Sequence, residues 1–163
     1  MSFMINFTDS ELAKLEMLKN NVPVSVAVDG SASNDCSNMF LECRNMLLLQ
    51  RVLKTADCIT ARDVLKCATL GGAKVLGRND IGMLEPGYEA DIIGINLNSL
   101  RQAGSSTDPL AALVFCAVDH VGFSMVHGDV LIQNSKFTKY SEYEIEELIA
   151  KQNERSKEIS ISR

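Results

Sequence analysis

Asp29 is the residue of this sequence best placed to do chemistry. It follows directly on Val22-Pro23-Val24-Ser25-Val26-Ala27-Val28 and opens a loop of small, mostly polar residues, Asp29-Gly30-Ser31-Ala32-Ser33-Asn34-Asp35. Apolar residues at 22, 24, 26 and 28 with small ones between them predict a strand buried on both faces, with Pro23 admissible only near its first residue. In α/β folds, ligand-binding and catalytic groups collect at the carboxyl ends of such strands. A carboxylate there can ligate a metal or move a proton; it can equally cap the helix that follows, and spacing alone leaves both roles open. Asp35 and Ser37 fit the capping role better.

The other candidates are weaker. His120 and His127 stand seven apart in a β-rich stretch, without the helical spacing of a His-Glu-x-x-His pair, and read as solvent-facing or internally satisfied histidines. The five cysteines, Cys36, Cys43, Cys58, Cys67 and Cys116, form no Cys-x-x-Cys pair, so they read as free thiols in a reducing cytoplasm. Gly71-Gly72 and Gly77 fit no phosphate-binding loop, and Gly30-Ser31-Ala32-Ser33 is not a serine-nucleophile elbow.

The elements that must position Asp29 follow from periodicity. Thr8 to Asn20 predicts a helix with Thr8 and Glu11 at capping-box spacing, and Asn38 to Thr55 a long Met- and Leu-rich one. Thr60 to Leu76 predicts another, with Gly71-Gly72 marking close packing or a short break. Leu84-Glu85-Pro86-Gly87 is a turn. Asp91 to Ile95 predicts a short buried strand, Leu100 to Asp108 a polar loop, and Pro109 to Val118 a short helix. Val121 to Val126 and Val130 to Gln133 predict a hairpin turning at His127-Gly128-Asp129. Ser141 to Ile149 predicts a final helix opened by a Ser141-x-x-Glu144 capping box, with a fraying tail after Lys151. The chain thus divides into 1–76, 77–137 and 138–163. A lone strand such as 22–28 cannot make a sheet by itself, which implies a piece of something larger or the partner of something absent.

Composition excludes some functions. The chain has 163 residues, 46% hydrophobic and 23% charged, with a net charge of −5. That is an ordinary globular balance, without the basic surface that nucleic acid requires. Its apolar runs are too short to span a bilayer, and Met1–Asn6 carries no basic residue of the kind that opens a signal peptide.

Several of these segments, taken in order, resemble the amidohydrolase superfamily, in its branch of triazine hydrolases and purine deaminases. The resemblance rests on Val28-Asp29-Gly30-Ser31-Ala32-Ser33-Asn34-Asp35 with Met46-Leu47-Leu48-Leu49-Gln50-Arg51, then on Thr60-Ala61-Arg62 and Ala68-Thr69-Leu70-Gly71-Gly72-Ala73. It continues through Gly77-Arg78-Asn79-Asp80-Ile81-Gly82-Met83-Leu84-Glu85-Pro86-Gly87-Tyr88-Glu89-Ala90-Asp91, then Asp108-Pro109-Leu110-Ala111-Ala112-Leu113-Val114-Phe115-Cys116, and ends on Val126-x-Gly128-x-Val130. It covers roughly Leu15 to Phe137.

The resemblance implies an α/β fold: the last strand and helices of a (β/α)8 metal-dependent hydrolase barrel (1–76), the C-terminal part of its flanking β-sandwich (77–137), and a C-terminal helix and tail. It implies hydrolytic removal of an amine, or sometimes chloride, from a small nitrogen heterocycle by water activated on a divalent metal, zinc or iron. Asp29 would be the strand-8 aspartate, ligating the metal and taking a proton from its water. Ser31, Ser33 and Asn34 would touch substrate at the barrel mouth. The family's His-x-His pair and its further barrel histidines have no counterpart here, and His120 and His127 fall in the sandwich part. One carboxylate does not hold a catalytic zinc, which takes three protein ligands and a water. The expectation is therefore an incomplete barrel that binds no metal alone and is inactive alone. Its partner would be the missing N-terminal barrel portion or another copy of the chain; the alternatives are a subunit of a split amidohydrolase that donates Asp29, or a non-catalytic remnant acting as a binding module.

Overall fold

The computed structural model describes residues 16–30, 34, 36–116 and 118–161, the side chains of 101 and 159–161 excepted. The described structure has a helical layer, against which the segment leading to Asp29 packs, and a four-stranded sheet.

The helical layer begins with α1 (Met39–Leu53), whose N-cap is Asn38. The Asn38 Oδ1 accepts from Phe40 N at 2.9 Å and Leu41 N at 3.3 Å, satisfying two of the donors that a helix start leaves unpaired. Its Nδ2 donates to Val118 O at 2.7 Å, tying α1 to the chain eighty residues on. The cap is thus Asn38 and not Ser37; Asp35 lies outside the described residues. Cys43, Met46, Leu47 and Gln50 recur at helical spacing and are all buried.

Next come α2 (Ala61–Lys66), a π turn (Cys67–Gly71) and α3 (Gly72–Val75). Thr60 and Asp63 close a reciprocal capping box at the start of α2. The expected irregularity at Gly71-Gly72 is this π turn. Helix α4 (Pro109–Phe115) opens on Pro109, with Asp108 Oδ1 accepting from Ala111 N at 3.0 Å. Cys43, Met46, Leu47, Ile59, Ala61, Val64, Cys67 and Val114 form one buried cluster between these helices. Arg51 braces it, donating from Nε and Nη2 to Ile59 O at 3.2 and 3.0 Å while its guanidinium lies 5.8 Å from the Phe115 ring centre.

The sheet is antiparallel in the order β1 (Ile92–Gly94), β2 (Phe123–Val126), β3 (Asp129–Gln133), β4 (Lys136–Phe137). Two-residue turns join its last three strands: His127 and Gly128 at φ 50° and 82°, then Asn134 and Ser135 at φ 52° and 62°. Positive φ at both central positions matches the twist of the flanking strands. A bulge at Ser124/Met125 shifts the β2–β3 register. Strand β1 is shorter than expected and is not buried: Ile93 is 55% exposed, on an edge with no further strand among the described residues.

Two further expectations change. The final helix, α5 (Glu142–Ile161), runs ten residues beyond Lys151 instead of fraying there. Its capping box is present, with Glu144 Oε2 accepting from Ser141 N at 2.8 Å. Residues 22–28 enter no ladder with any described strand. Of the helix expected over Thr8 to Asn20, residues 16–19 are helical and Asn20 is a turn, while 8–15 lie outside the described residues. No helix of the described residues is long and apolar enough to cross a membrane.

Candidate active-site carboxylate

Although unpaired, segment 22–28 is held firmly. Val24 and Val26 pack against the buried helical cluster. The π turn approaches so closely that a Cβ placed on Gly71 would lie 2.2 Å from Val24 O, and one on Gly72 would lie 3.5 Å from Ser25 Oγ. Only glycine allows that first approach. The segment is also bounded at both ends by left-handed backbone, Asn21 at φ 57° and Asp29 at φ 61°. Asn and Asp tolerate this conformation better than other side-chain-bearing residues.

Asp29 therefore sits where the chain turns sharply out of its anchored segment. It is exposed, and its Oδ1 accepts from Gly30 N at 2.8 Å. Asn34 N donates to Gly30 O at 3.1 Å and closes the loop. The Asn34 side chain holds that loop to α1: Nδ2 donates to Glu42 Oε1 at 2.7 Å, and Oδ1 accepts from Cys36 N at 2.8 Å. Ser31 and Ser33, the other expected substrate contacts, lie outside the described residues.

The donor set does not fit a metal. No group of three His, Cys, Asp or Glu is placed to hold one among the described residues. His120 and His127 belong to the sheet region, each with its own carboxylate. His120 Nδ1 lies 2.7 Å from Asp119 Oδ1, and His127 Nδ1 lies 2.5 Å from Glu89 Oε2. The cysteines are all free thiols. Burial, then the neighbouring Cys67 and Glu42, pushes the Cys43 thiol up to about 11; burial, then Asp63, raises Cys67. Both stay protonated at neutral pH and are poor metal ligands in that state.

Sequence reasoning did not find the polar cluster at the β2–β3 turn. His127 N donates to Asp91 Oδ1 at 2.8 Å, Gly128 N to Ala90 O at 3.3 Å, and Glu89 N to Asp80 O at 2.7 Å. Arg78 grips Asp80 through Nε and Nη2 at 2.8 and 2.7 Å, which holds the Asp80 carboxyl below its ordinary value. Together these bonds fasten the 78–91 loop to the hairpin. The Gly77–Asp91 segment carried the signal, as a run of alternating charges and glycines, but its partners lie nearly forty residues further on.

A model of the amidohydrolase family matches residues 8–131. Over 114 residues, 70% of this chain, the sequence is 48% identical to an 8-oxoguanine deaminase of Pseudomonas aeruginosa, covering 25% of that protein. It is 35% identical over 127 residues, 77% of this chain, to a 5-methylthioadenosine/S-adenosylhomocysteine deaminase of Lawsonia intracellularis, covering 29% of it. Among solved structures, an adenosine deaminase from Xanthomonas campestris with bound zinc superposes with a TM-score of 0.81 at 27% identity, over 90% of this chain and 33% of that one. A zinc complex of an atrazine chlorohydrolase from Arthrobacter aurescens does so with a TM-score of 0.77 at 31% identity, over 85% of this chain and 31% of that one. The chain thus spans a quarter to a third of the length of these relatives.

Proposed function

Because the chain belongs to the amidohydrolase family, we propose that it forms the carboxyl-terminal part of a metal-dependent hydrolase that removes an amino group from a nitrogen heterocycle such as a purine. Asp29 is its contribution to the reacting centre. The observation that carries this reading is the position of Asp29: exposed, just beyond an apolar segment locked against the helical layer, and inside the region that matches the family.

In hydrolytic deamination water adds to the ring carbon, the carbon–nitrogen bond breaks, and the amine leaves with a proton. Asp29 is placed to take the proton of the incoming water and return it to the departing nitrogen, the work of a general base and then a general acid. The Gly30 N–H bond and the left-handed backbone fix where its carboxylate points. The histidines that this chain lacks, and the metal they would hold, come from the rest of the enzyme. Segment 22–28, apolar and unladdered, is the place where neighbouring strands of that polypeptide add on.

A chimera tests the reading. The matching segment of the Pseudomonas 8-oxoguanine deaminase is replaced by this chain's, and ammonia release from 8-oxoguanine and from 5-methylthioadenosine is measured. Activity on one of them, lost by at least about a hundredfold in Asp29→Asn, is expected from the usual worth of a proton-transferring residue. A folded chimera with no activity, or an Asp29→Asn variant as active as its parent, would overturn the assignment.

A further inference from the structure

The π turn that seats segment 22–28 also meets a second stretch of chain. The turn forms where Gly72 N reaches back to Cys67 O. Its Thr69 hydroxyl donates to Leu65 O at 2.9 Å, a side-chain bond of the kind that bends helices. A Cβ placed on Gly82 would fall 3.0 Å from Thr69 O, 3.1 Å from Thr69 C and 3.2 Å from Leu70 N. The same turn therefore touches the 78–91 loop through the Thr69–Leu70 peptide and the segment ending in Asp29 through Gly71 and Val24. Both contacts are backbone against backbone, with no flexible side chain to absorb a change.

The loop that carries Gly82 has little freedom to move aside. Arg78 N donates to Ala73 O at 2.9 Å, which ties its start to α3. Glu89 N donates to Asp80 O at 2.7 Å, and Asp91 Oδ1 accepts from His127 N at 2.8 Å, which tie its end to its own start and to the hairpin. A push at Gly82 is thus delivered to the π turn, because close-packed structure transmits strain.

We propose that Gly82 is a positioning residue for Asp29: its close contact with the Thr69–Leu70 peptide sets, through the π turn, where segment 22–28 and the carboxylate at its end sit. The consequence for catalysis rests on the deaminase reading; the mechanical coupling does not.

Gly87 supplies the control. It stands in the same loop at φ 94°, against 88° for Gly82, and nothing lies within 4 Å of its Cβ position. Gly82→Ala and Gly87→Ala therefore share the strain of positive φ, and only the first presses on the π turn. Gly30 N donates to Asp29 Oδ1 at 2.8 Å, so its amide NMR resonance reports on that carboxylate. In the full chain this resonance should shift in Gly82→Ala and stay in place in Gly87→Ala. In the Pseudomonas chimera, Gly82→Ala should lower kcat about tenfold or more and leave KM within about twofold, as expected of a displaced proton-transfer group with binding intact. Gly87→Ala should keep the parental kcat. If Gly82→Ala folds poorly, Gly82→Asn with Gly87→Asn as its match replaces the pair, because asparagine tolerates positive φ while still carrying a Cβ. An inactive parent chimera would remove the deaminase reading and leave the Gly30 resonance to decide the coupling. The proposal is overturned by a Gly30 resonance that moves equally, or not at all, in the two variants of a pair, or by an equal loss of kcat in both.

Discussion

Gly71 lies so close to Val24 that a Cβ on it would fall 2.2 Å from the Val24 carbonyl oxygen, whereas one on its neighbour Gly72 would meet nothing nearer than Ser25 Oγ at 3.5 Å. The two glycines look alike in sequence and do different work. Alanine at a helical position gains roughly 1 kcal/mol over glycine, and at Gly72 little opposes that gain. At Gly71 the methyl would displace backbone, and overpacking of this kind costs about 1–3 kcal/mol. Gly71→Ala should therefore lower the urea midpoint, while Gly72→Ala leaves it unchanged or raises it. Equal midpoints for the two variants would show that segment 22–28 is not seated against the π turn.

Asn38 joins the helical layer to the chain before β2. Its Oδ1 caps α1 and its Nδ2 holds Val118 O, so its two ends can be tested separately. Asn38→Asp keeps the capping acceptor and removes the donor; Asn38→Ala removes both. A lost cap costs about 1 kcal/mol, and a buried carbonyl left without its donor about 1–3 kcal/mol. Denaturation should rank the wild type first, then Asn38→Asp, then Asn38→Ala. An aspartate variant as stable as the wild type would dismiss the bond to Val118.

How much of this was legible follows from the range of the interactions. The capping boxes Thr60–Asp63 and Ser141–Glu144 were readable because both partners lie within one turn. The hairpin was readable because His127-Gly128 is a local turn signal. Asn38 was missed as the cap because Asp35 and Ser37 are equally good candidates nearby, and its bond to Val118 spans eighty residues. Strand 22–28 was expected from its alternation, but a ladder depends on neighbours that no single segment specifies. Asp29 was singled out from its place after an apolar run, whereas the buried Gln102 side-chain oxygen without a donor left no mark, because burial is a property of packing alone.

The buried thiols set an alkaline limit. Cys43 is pushed up to about 11 by burial, from a usual thiol value of 9.0. The folded state therefore favours the protonated form. Its contribution is fully present below pH 9.0, and it is lost as pH rises from there through about 11, because the unfolded chain ionises first. Stability followed from pH 8 to 11 should fall less steeply in Cys43→Ala than in the wild type. Alkylation of the native chain should reach exposed Cys36 first and buried Cys43 and Cys67 only on unfolding. An identical pH slope in the variant would mean that Cys43 is not sealed in the core.

The hairpin turn separates backbone conformation from side-chain contact. His127 and Gly128 both have positive φ, at 50° and 82°, and the His127 side chain is 83% exposed although Nδ1 meets Glu89. Asparagine prefers the first position of such a turn, so His127→Asn gives up an exposed pair of small worth and gains a better backbone fit. Its net effect on stability should stay within about 0.5 kcal/mol. Gly128→Ala adds no clash, since nothing lies within 4 Å of its Cβ position, but it forces a methyl into left-handed backbone and should cost about 1–2 kcal/mol. Urea midpoints compare the two directly. If His127→Asn proved the more damaging, the Glu89 contact, and not the turn geometry, would be what holds the 78–91 loop against the sheet.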